Sequence, residues 1–464
     1  MPARKPIYPY IPNAASQVQA EMLRAVGARS IDEFYADIPP ALRLNAPLNL
    51  PEPLPSETEL ARHVTALLDK NRSTREMLSF LGAGCYQHQV PAVCDEINNR
   101  SEFLTAYAGD PYEDHGRFQA LFEYQSLMGE LLNMDVVNVP TYDGFQATAT
   151  ALRMAARLTG RHKVLLPQNI STDKLSKVRT YLQPDMRIEQ VRFDSSSGLL
   201  DLDALQASLD QQTAAVYYEN PSYLGVVETR PDKISAAAHA AGALCVAGVE
   251  PLLLGVLRPP VEVGADIVCG DIQSLGMHMQ YGGGHGGFIA TNDEPRFVME
   301  FPSRLFGIAP TIVEGEYGFG DVAYERTSFA LREEGKEWVG TAAALWGITA
   351  GVYLALMGPQ GMQEIGEGIM QRCRYAMQNI AAIPGLNIPF LDDPHFNEFV
   401  VCFDGAGCSA AAVNRALLAR GIFGGKDLTA EHPALGQSTL FCVSEVHTRQ
   451  DLDRLAAALE EVTR

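Results

Sequence analysis

The strongest constraint on the fold is an alternation of period. From about Phe80 to Asn292, short apolar runs of strand type are separated by helical patterns. Phe145 to Leu158 reads as an apolar helix stopped by Gly160, Val164 to Leu166 as a strand and Thr172 to Leu182 as a helix. The same texture continues with strands at 188–193, 214–218, 244–249 and 267–269, a returning strand at 287–290, and helices at 201–209 and 233–240. Strands separated by segments this long are joined by crossover helices, which predicts βαβ units and a mostly parallel sheet buried on both faces. Ligands of such sheets sit at the carboxyl ends of the strands. The strand-to-helix junctions are therefore where chemistry is expected.

The flanks differ. Residues 1–75 are rich in Pro, with short helical patterns at 17–26, 31–35 and 58–68, and read as an N-terminal helical arm. A large α/β domain is expected over 76–320. A bridging helix and a smaller C-terminal α+β domain are expected over 321–464, with strands at 398–403 and 439–443 and a last helix opened by a capping-box pair, Thr448 and Asp451.

The 464 residues carry 36 Lys+Arg against 56 Asp+Glu, a net charge of −20. An acidic chain without a basic run repels phosphate backbones, so nucleic acid and anionic membrane are excluded as expected partners. Thr341 to Met357 is apolar but shorter than the roughly 20 residues of a membrane span, and reads as a buried core helix. Eight scattered cysteines with no CxxC pair, and an opening without a signal-peptide core, suggest reduced thiols in a cytoplasmic protein.

Three junctions stand out. Tyr142-Asp143-Gly144 opens the Phe145 helix, where Gly permits close backbone approach and the helix start favours an anion; taken alone, the favoured reading is that Asp143 simply caps the helix. Glu250 ends a buried strand, where a carboxylate implies a partner: a ligand cation, a heterocyclic nitrogen or a neighbouring Arg. The third runs from Gly264 through Gln273-Ser274 to a loop with five glycines in its last six residues. It matches neither GxGxxG nor GxxxxGK[ST]. His278 and His285, seven apart, lack HExxH geometry and a third ligand, so no metal is expected. His88 and His115 are acid-base residues by type only, and Cys85 reads as a small apolar turn residue.

Taken together these segments resemble the first subunit of the two-subunit glycine dehydrogenase (decarboxylating), the P-protein family of the glycine cleavage system. The matching pieces include ADIPPALRLNAPLNLP (36–51), SFLGAGCYQHQVPAV (79–93), FEYQSLMGELLNMDVVN (122–138), YDGFQA (142–147), ENPSYLGVVE (219–228), HAAGALCVAGVEPLLLGVLRPP (239–260), GADIVCGDIQSLG (264–276) and FNEFVV (396–401). The resemblance implies fold type I of the pyridoxal phosphate (PLP) enzymes, in which a Lys after a buried strand forms the imine and an acid one strand earlier meets the pyridine nitrogen. Where the catalytic second subunit of the family has His-Lys, this chain has Gln273-Ser274, and Ser forms no imine. None of its eight lysines falls between Lys233 and Lys336, and Lys336 lies in a charged run expected to face solvent. The family's usual acid near Glu250 is Asp.

The resemblance thus implies a chain with no catalytic residue and no covalently bound cofactor of its own. Tyr142, Asp143, Gly144, Glu250, Gln273 and Ser274 are then candidates for a vestigial site or an interface. The implied role is subunit 1 of a glycine decarboxylase, a hetero-oligomer such as a heterotetramer. A PLP-bearing second subunit would decarboxylate glycine and pass the aminomethyl group to lipoylated H-protein. Two segments depart from the family pattern, 105–116 (AYAGDPYEDHG in place of a Tyr/Pro-rich stretch) and 300–340, which mixes Arg304, Arg326, Arg332 and Lys336 with seven glutamates. They motivate an alternative, a PLP-fold pseudoenzyme that is scaffold or regulator of a different partner. A stand-alone enzyme built on the His278/His285 loop is a third.

Overall fold

The computed structural model describes residues 7–8, 10–44, 46, 48–103, 115–183, 185–303, 305–328, 331, 333, 335–337 and 343–464. The divergent stretch 105–114, and Arg304, Arg332 and Glu334 of the second one, lie outside the described residues, as does the side chain of His115. Contacts divide the chain into Met1–Arg72 and Ser73–Arg464. The first unit holds α1 (Ser16–Ala25), a 3-10 turn at Ile31–Tyr35 and α2 (Glu57–Leu68), close to the helices read from the sequence. Ser56 caps α2 by accepting the Glu59 N–H, and none of the residues of α1 or α2 is buried.

The second unit begins with β1 (Leu78–Ser79), α3 (Ala92–Asn98), α4 (His115–Leu132) and β2 (Val136–Val137). The βαβ series follows as α5 (Gly144–Thr159), β3 (Lys163–Pro167), α6 (Thr172–Leu182), β4 (Arg187–Val191), α7 (Leu202–Ser208), β5 (Thr213–Asn220), α8 (Pro231–Ala240), β6 (Leu244–Val249), β7 (Ile267–Asp271) and β8 (Gly287–Thr291). Next come α9 (Pro295–Val298), a hairpin of β9 (Phe306–Pro310) and β10 (Tyr317–Asp321), and the long α10 (Ala344–Ala381), which breaks at Gly358. The C-terminal part adds β11 (Glu398–Cys402), α11 (Ala410–Ala419), β12 (Ile422–Phe423), β13 (Lys426–Asp427), β14 (Ser438–Cys442) and α12 (Arg449–Thr463).

Seven strands form the main sheet in the order β2-β8-β7-β6-β5-β3-β4. Strands β3 to β7 are parallel, while β8 runs antiparallel to β7 and to β2. Neighbouring residues of one strand feed opposite cores. Val216 and Ala247 pack with Tyr124, Met128 and Phe288 on one face; Tyr217 and Val246 pack with Leu152, Val164 and Leu166 on the other. This is the period-two rule acting on a sheet covered on both sides, and it explains why the strands read as continuous apolar runs. A smaller antiparallel sheet, β11-β14-β13, carries its own core around Phe399, Phe441 and Leu455. The capping box of Thr448 and Asp451 opens α12 as expected.

Two local readings change. The helix expected at 341–357 continues to Ala381, its first half buried through Ile348, Ala350 and Tyr353. Lys336, expected to face solvent, lies 3.6 Å from Glu300, and Glu337 bonds Arg153 and Arg157 of α5. Ion pairing to α5 therefore ties part of the divergent 300–340 segment to the main sheet's helical layer. No helix among the described residues is long and apolar enough to cross a membrane.

Candidate functional site

The carboxyl ends of β5, β6 and β7 each carry an acid: Glu219, Glu250 and Asp271. They open onto a cleft of 350 Å³ at the place where an open α/β sheet binds ligands. The N-terminus of α5, the 83–86 loop, α6, His285 of the glycine loop and Glu398 of β11 complete its lining.

Asp143 caps α5, accepting the Gln146 N–H at 2.7 Å, and also pairs with Lys177 of α6. The capping reading of its position holds, and its second oxygen is taken by a lysine of the chain itself. Gly144 donates its N–H to the Asp271 carboxylate at 2.7 Å. A Cβ at 144 would stand 2.9 Å from the Asp271 Cβ, so only glycine allows this approach of helix and strand. Asp271 also accepts the Gln273 N–H at 2.9 Å and lies 3.2 Å from His285 Nδ1. Burial opposes a charge on His285, but the contact with Asp271 outweighs it and holds the imidazolium up to about 10. Tyr142 is half exposed beside these residues and is not part of the cleft lining.

Gln273 and Ser274 are both buried. The Gln273 amide is spent on backbone: it accepts the Tyr86 N–H at 3.0 Å and donates to the carbonyls of Tyr86 and Met277. Ser274 donates its hydroxyl to Glu250 Oε1, which also accepts the Leu252 N–H at 3.3 Å. Burial pushes the Glu250 carboxyl up to about 7, against these two bonds. Among the described residues the hydrogen-bond partners of this strand-end carboxylate are therefore a serine hydroxyl and a backbone amide, and no Arg.

The sequence reading missed the residues that complete the cleft. Glu398, 3 % exposed at the start of β11, accepts the Ala83 N–H at 2.6 Å and the Tyr86 hydroxyl at 3.1 Å, and burial pushes it up to about 7. Lys174 of α6 bonds Glu219 at 2.5 Å and the Tyr217 hydroxyl at 3.2 Å; burial opposes its charge, but these partners raise it. A register signal was available for the acids, since each of three neighbouring strands ends in one. Nothing local marks Glu398 or Lys174. Of the histidines, His88 pairs with Glu445 at 2.9 Å and His278 with Asp95, both away from the cleft lining. Cys85 lies in the lining, with its thiol directed to the Met279 carbonyl. No group of three His, Cys, Asp or Glu among the described residues could hold a metal.

The donor set is a poor match for a phosphate ester. The helix start that would seat it already binds two carboxylates, Asp143 and Asp271, and each lysine at the cleft is engaged with an acid.

A family profile of the glycine cleavage system P-protein matches residues 9–459. Over 466 residues the chain is 37% identical to the probable glycine dehydrogenase (decarboxylating) subunit 1 of Staphylothermus marinus, covering 98% of each. It is 36% identical to the protein of the same description from Aeropyrum pernix, over 98% of this chain and 99% of that one. A crystal structure of glycine decarboxylase (P-protein) of the glycine cleavage system, in inhibitor-bound form, superposes with a TM-score of 0.83 at 34% identity, covering 98% of this chain and 100% of that chain. The NifS-like protein of Rickettsia africae, at 13% identity and a TM-score of 0.61 over 83% of this chain and 99% of that one, shares the fold alone. The fold is that of type I PLP enzymes, and the agreement from the N-terminal arm to the last helix shows that this chain belongs to the glycine cleavage system P-protein family.

Proposed function

We propose that this chain is the supporting subunit of a cytoplasmic glycine dehydrogenase. In this reading it assembles with a second, homologous subunit that carries PLP and decarboxylates glycine, and the aminomethyl group passes to lipoylated H-protein. The chain itself supplies surface and field to the assembly rather than reacting groups. Family membership over nearly the whole length supports the glycine decarboxylase reading, and the shared description of the relatives as subunit 1 disfavours a scaffold for an unrelated partner.

One observation carries the assignment of catalysis to the other subunit. At the imine position implied by the family, Ser274 is buried with its hydroxyl on Glu250. Lys174 and Lys177, the lysines that do reach the cleft, are engaged with Glu219 and Asp143. PLP bound elsewhere would act as electron sink for the glycine carbanion. The test is reconstitution. The purified chain should lack the cofactor's visible absorbance and exchange no glycine carboxyl with bicarbonate, and should raise that exchange at least tenfold when added to the lysine-bearing second subunit. Exchange by the chain alone, or none with the pair, overturns the reading.

A further inference from the structure

Three ion pairs account for the cations of the cleft: Lys174 with Glu219, Lys177 with Asp143, and His285 with Asp271. The exposed Asp173 of the lining lies 3.9 Å from Lys426, which leaves two carboxylates without a cation among the described residues. Glu250 and Glu398 receive only neutral donors, the Ser274 hydroxyl and Leu252 N–H for the first, the Ala83 N–H and Tyr86 hydroxyl for the second. Glu250 Oε2 has no hydrogen-bond partner among the described residues, and the residue lines the open cleft. A separate feature of the same lining is the Ser222 hydroxyl, whose oxygen is buried without a hydrogen-bond partner.

Unpaired buried charge is costly, and a fold keeps it where something arrives to balance it. Burial holds each of the two acids up at about 7, with Asp271 adding to the rise at Glu250 and Glu250 adding to the rise at Glu398. Tyr86, Cys442, His88, Asp271 and Tyr353 face Glu250, and Tyr86, Cys442, Tyr223, Cys373 and Lys426 face Glu398, with His88 itself committed to Glu445. None brings a cation into contact with either carboxylate. The described residues offer no three-ligand metal set, which leaves a cation with directional N–H donors.

We propose that the cleft is a binding site for a small primary ammonium compound bearing a second polar group, its ammonium taken by Glu250 and Glu398 and its polar group by Ser222. The site has the volume for a metabolite-sized ligand. Binding replaces protons held by the acid pair, so it releases protons near neutrality. The inference rests on reading this cleft as the one from which the imine chemistry has been lost.

The experiment is titration calorimetry of the full chain, without the second subunit, using ethanolamine as probe and acetate and inorganic phosphate as comparisons. Ethanolamine should bind saturably at one site, with acetate and phosphate silent. Affinity should fall about tenfold from pH 8 to pH 6, following ionisation of a carboxyl near 7. Glu250→Gln should weaken it at least tenfold. Should that variant fold poorly, the thermal midpoint of the wild type gives the same answer, rising with ethanolamine at pH 8 and not at pH 6. Absence of saturable binding, tighter binding of phosphate, an unchanged Kd in a folded Glu250→Gln, or a pH-independent midpoint shift each overturns the proposal. Because no second subunit is present, failure here is distinct from failure of the reconstitution assay.

Discussion

Replacing Glu398 by Gln should change how stability depends on pH. Glu398 is 3 % exposed, and burial holds its carboxyl at about 7 against an ordinary value of 4.5. Between those values the folded chain keeps a proton that the unfolded chain has released. The protonated form favours folding fully below pH 4.5, and that contribution is lost as pH rises toward 7. At about 1.4 kcal/mol per pH unit, roughly 3 kcal/mol is forfeited by pH 8. Glutamine does not titrate. Its carbonyl can still accept the Ala83 N–H, while its NH2 meets the Tyr86 oxygen and turns that hydroxyl from donor to acceptor, at a cost of about 1 kcal/mol. Because the wild type has already lost about 0.8 kcal/mol of that contribution at pH 5, Glu398→Gln should nearly match it there and be about 2 kcal/mol more stable than it at pH 8. Urea unfolding followed by circular dichroism at pH 5, 6, 7 and 8 measures both. Parallel pH profiles of the two proteins would refute the reasoning.

Two further substitutions probe the scaffold. Arg157→Met removes the guanidinium shared by Glu300 and Glu337, leaving two partly buried acids to Arg153 and Lys336; it should cost about 2 kcal/mol and speed tryptic cleavage at Lys336, and an unchanged cleavage rate would show that the network does not hold the segment. Gly225 has φ +90° and a Cβ there would lie 1.9 Å from the Glu398 carbonyl oxygen; Gly225→Ala should cost more than about 3 kcal/mol in thermal unfolding, and a wild-type midpoint would show that β11 can shift to make room.

The fold was legible because its signals are local. Strand patterns rich in Val, Ile and Leu, helices stopped by Gly160 and opened by Asp143 or Thr448, and crossovers of helical length leave few architectures besides a mostly parallel sheet. The boundaries shifted by a few residues, as at Thr213–Asn220, where burial on both faces carries the strand beyond its apolar run to Glu219. The segment at 300–340 was less legible, because Glu300 and Glu337 are held by Arg153 and Arg157 on α5, more than 140 residues earlier in the chain, and Lys336 by Glu300.

By itself the sequence determined that the family's imine lysine is absent, since Ser274 has no amine whatever surrounds it. It also determined a mostly parallel sheet with Glu250 at the carboxyl end of a buried strand. Only the tertiary structure decided which acids of the cleft have cations. Lys174 and Lys177 reach Glu219 and Asp143 from α6, His285 returns to Asp271 from the glycine loop, and Glu398 arrives from a different sheet to stand with Glu250. Charge pairing depends on distances of 3 to 4 Å between side chains remote in the chain, and that is information no local pattern carries.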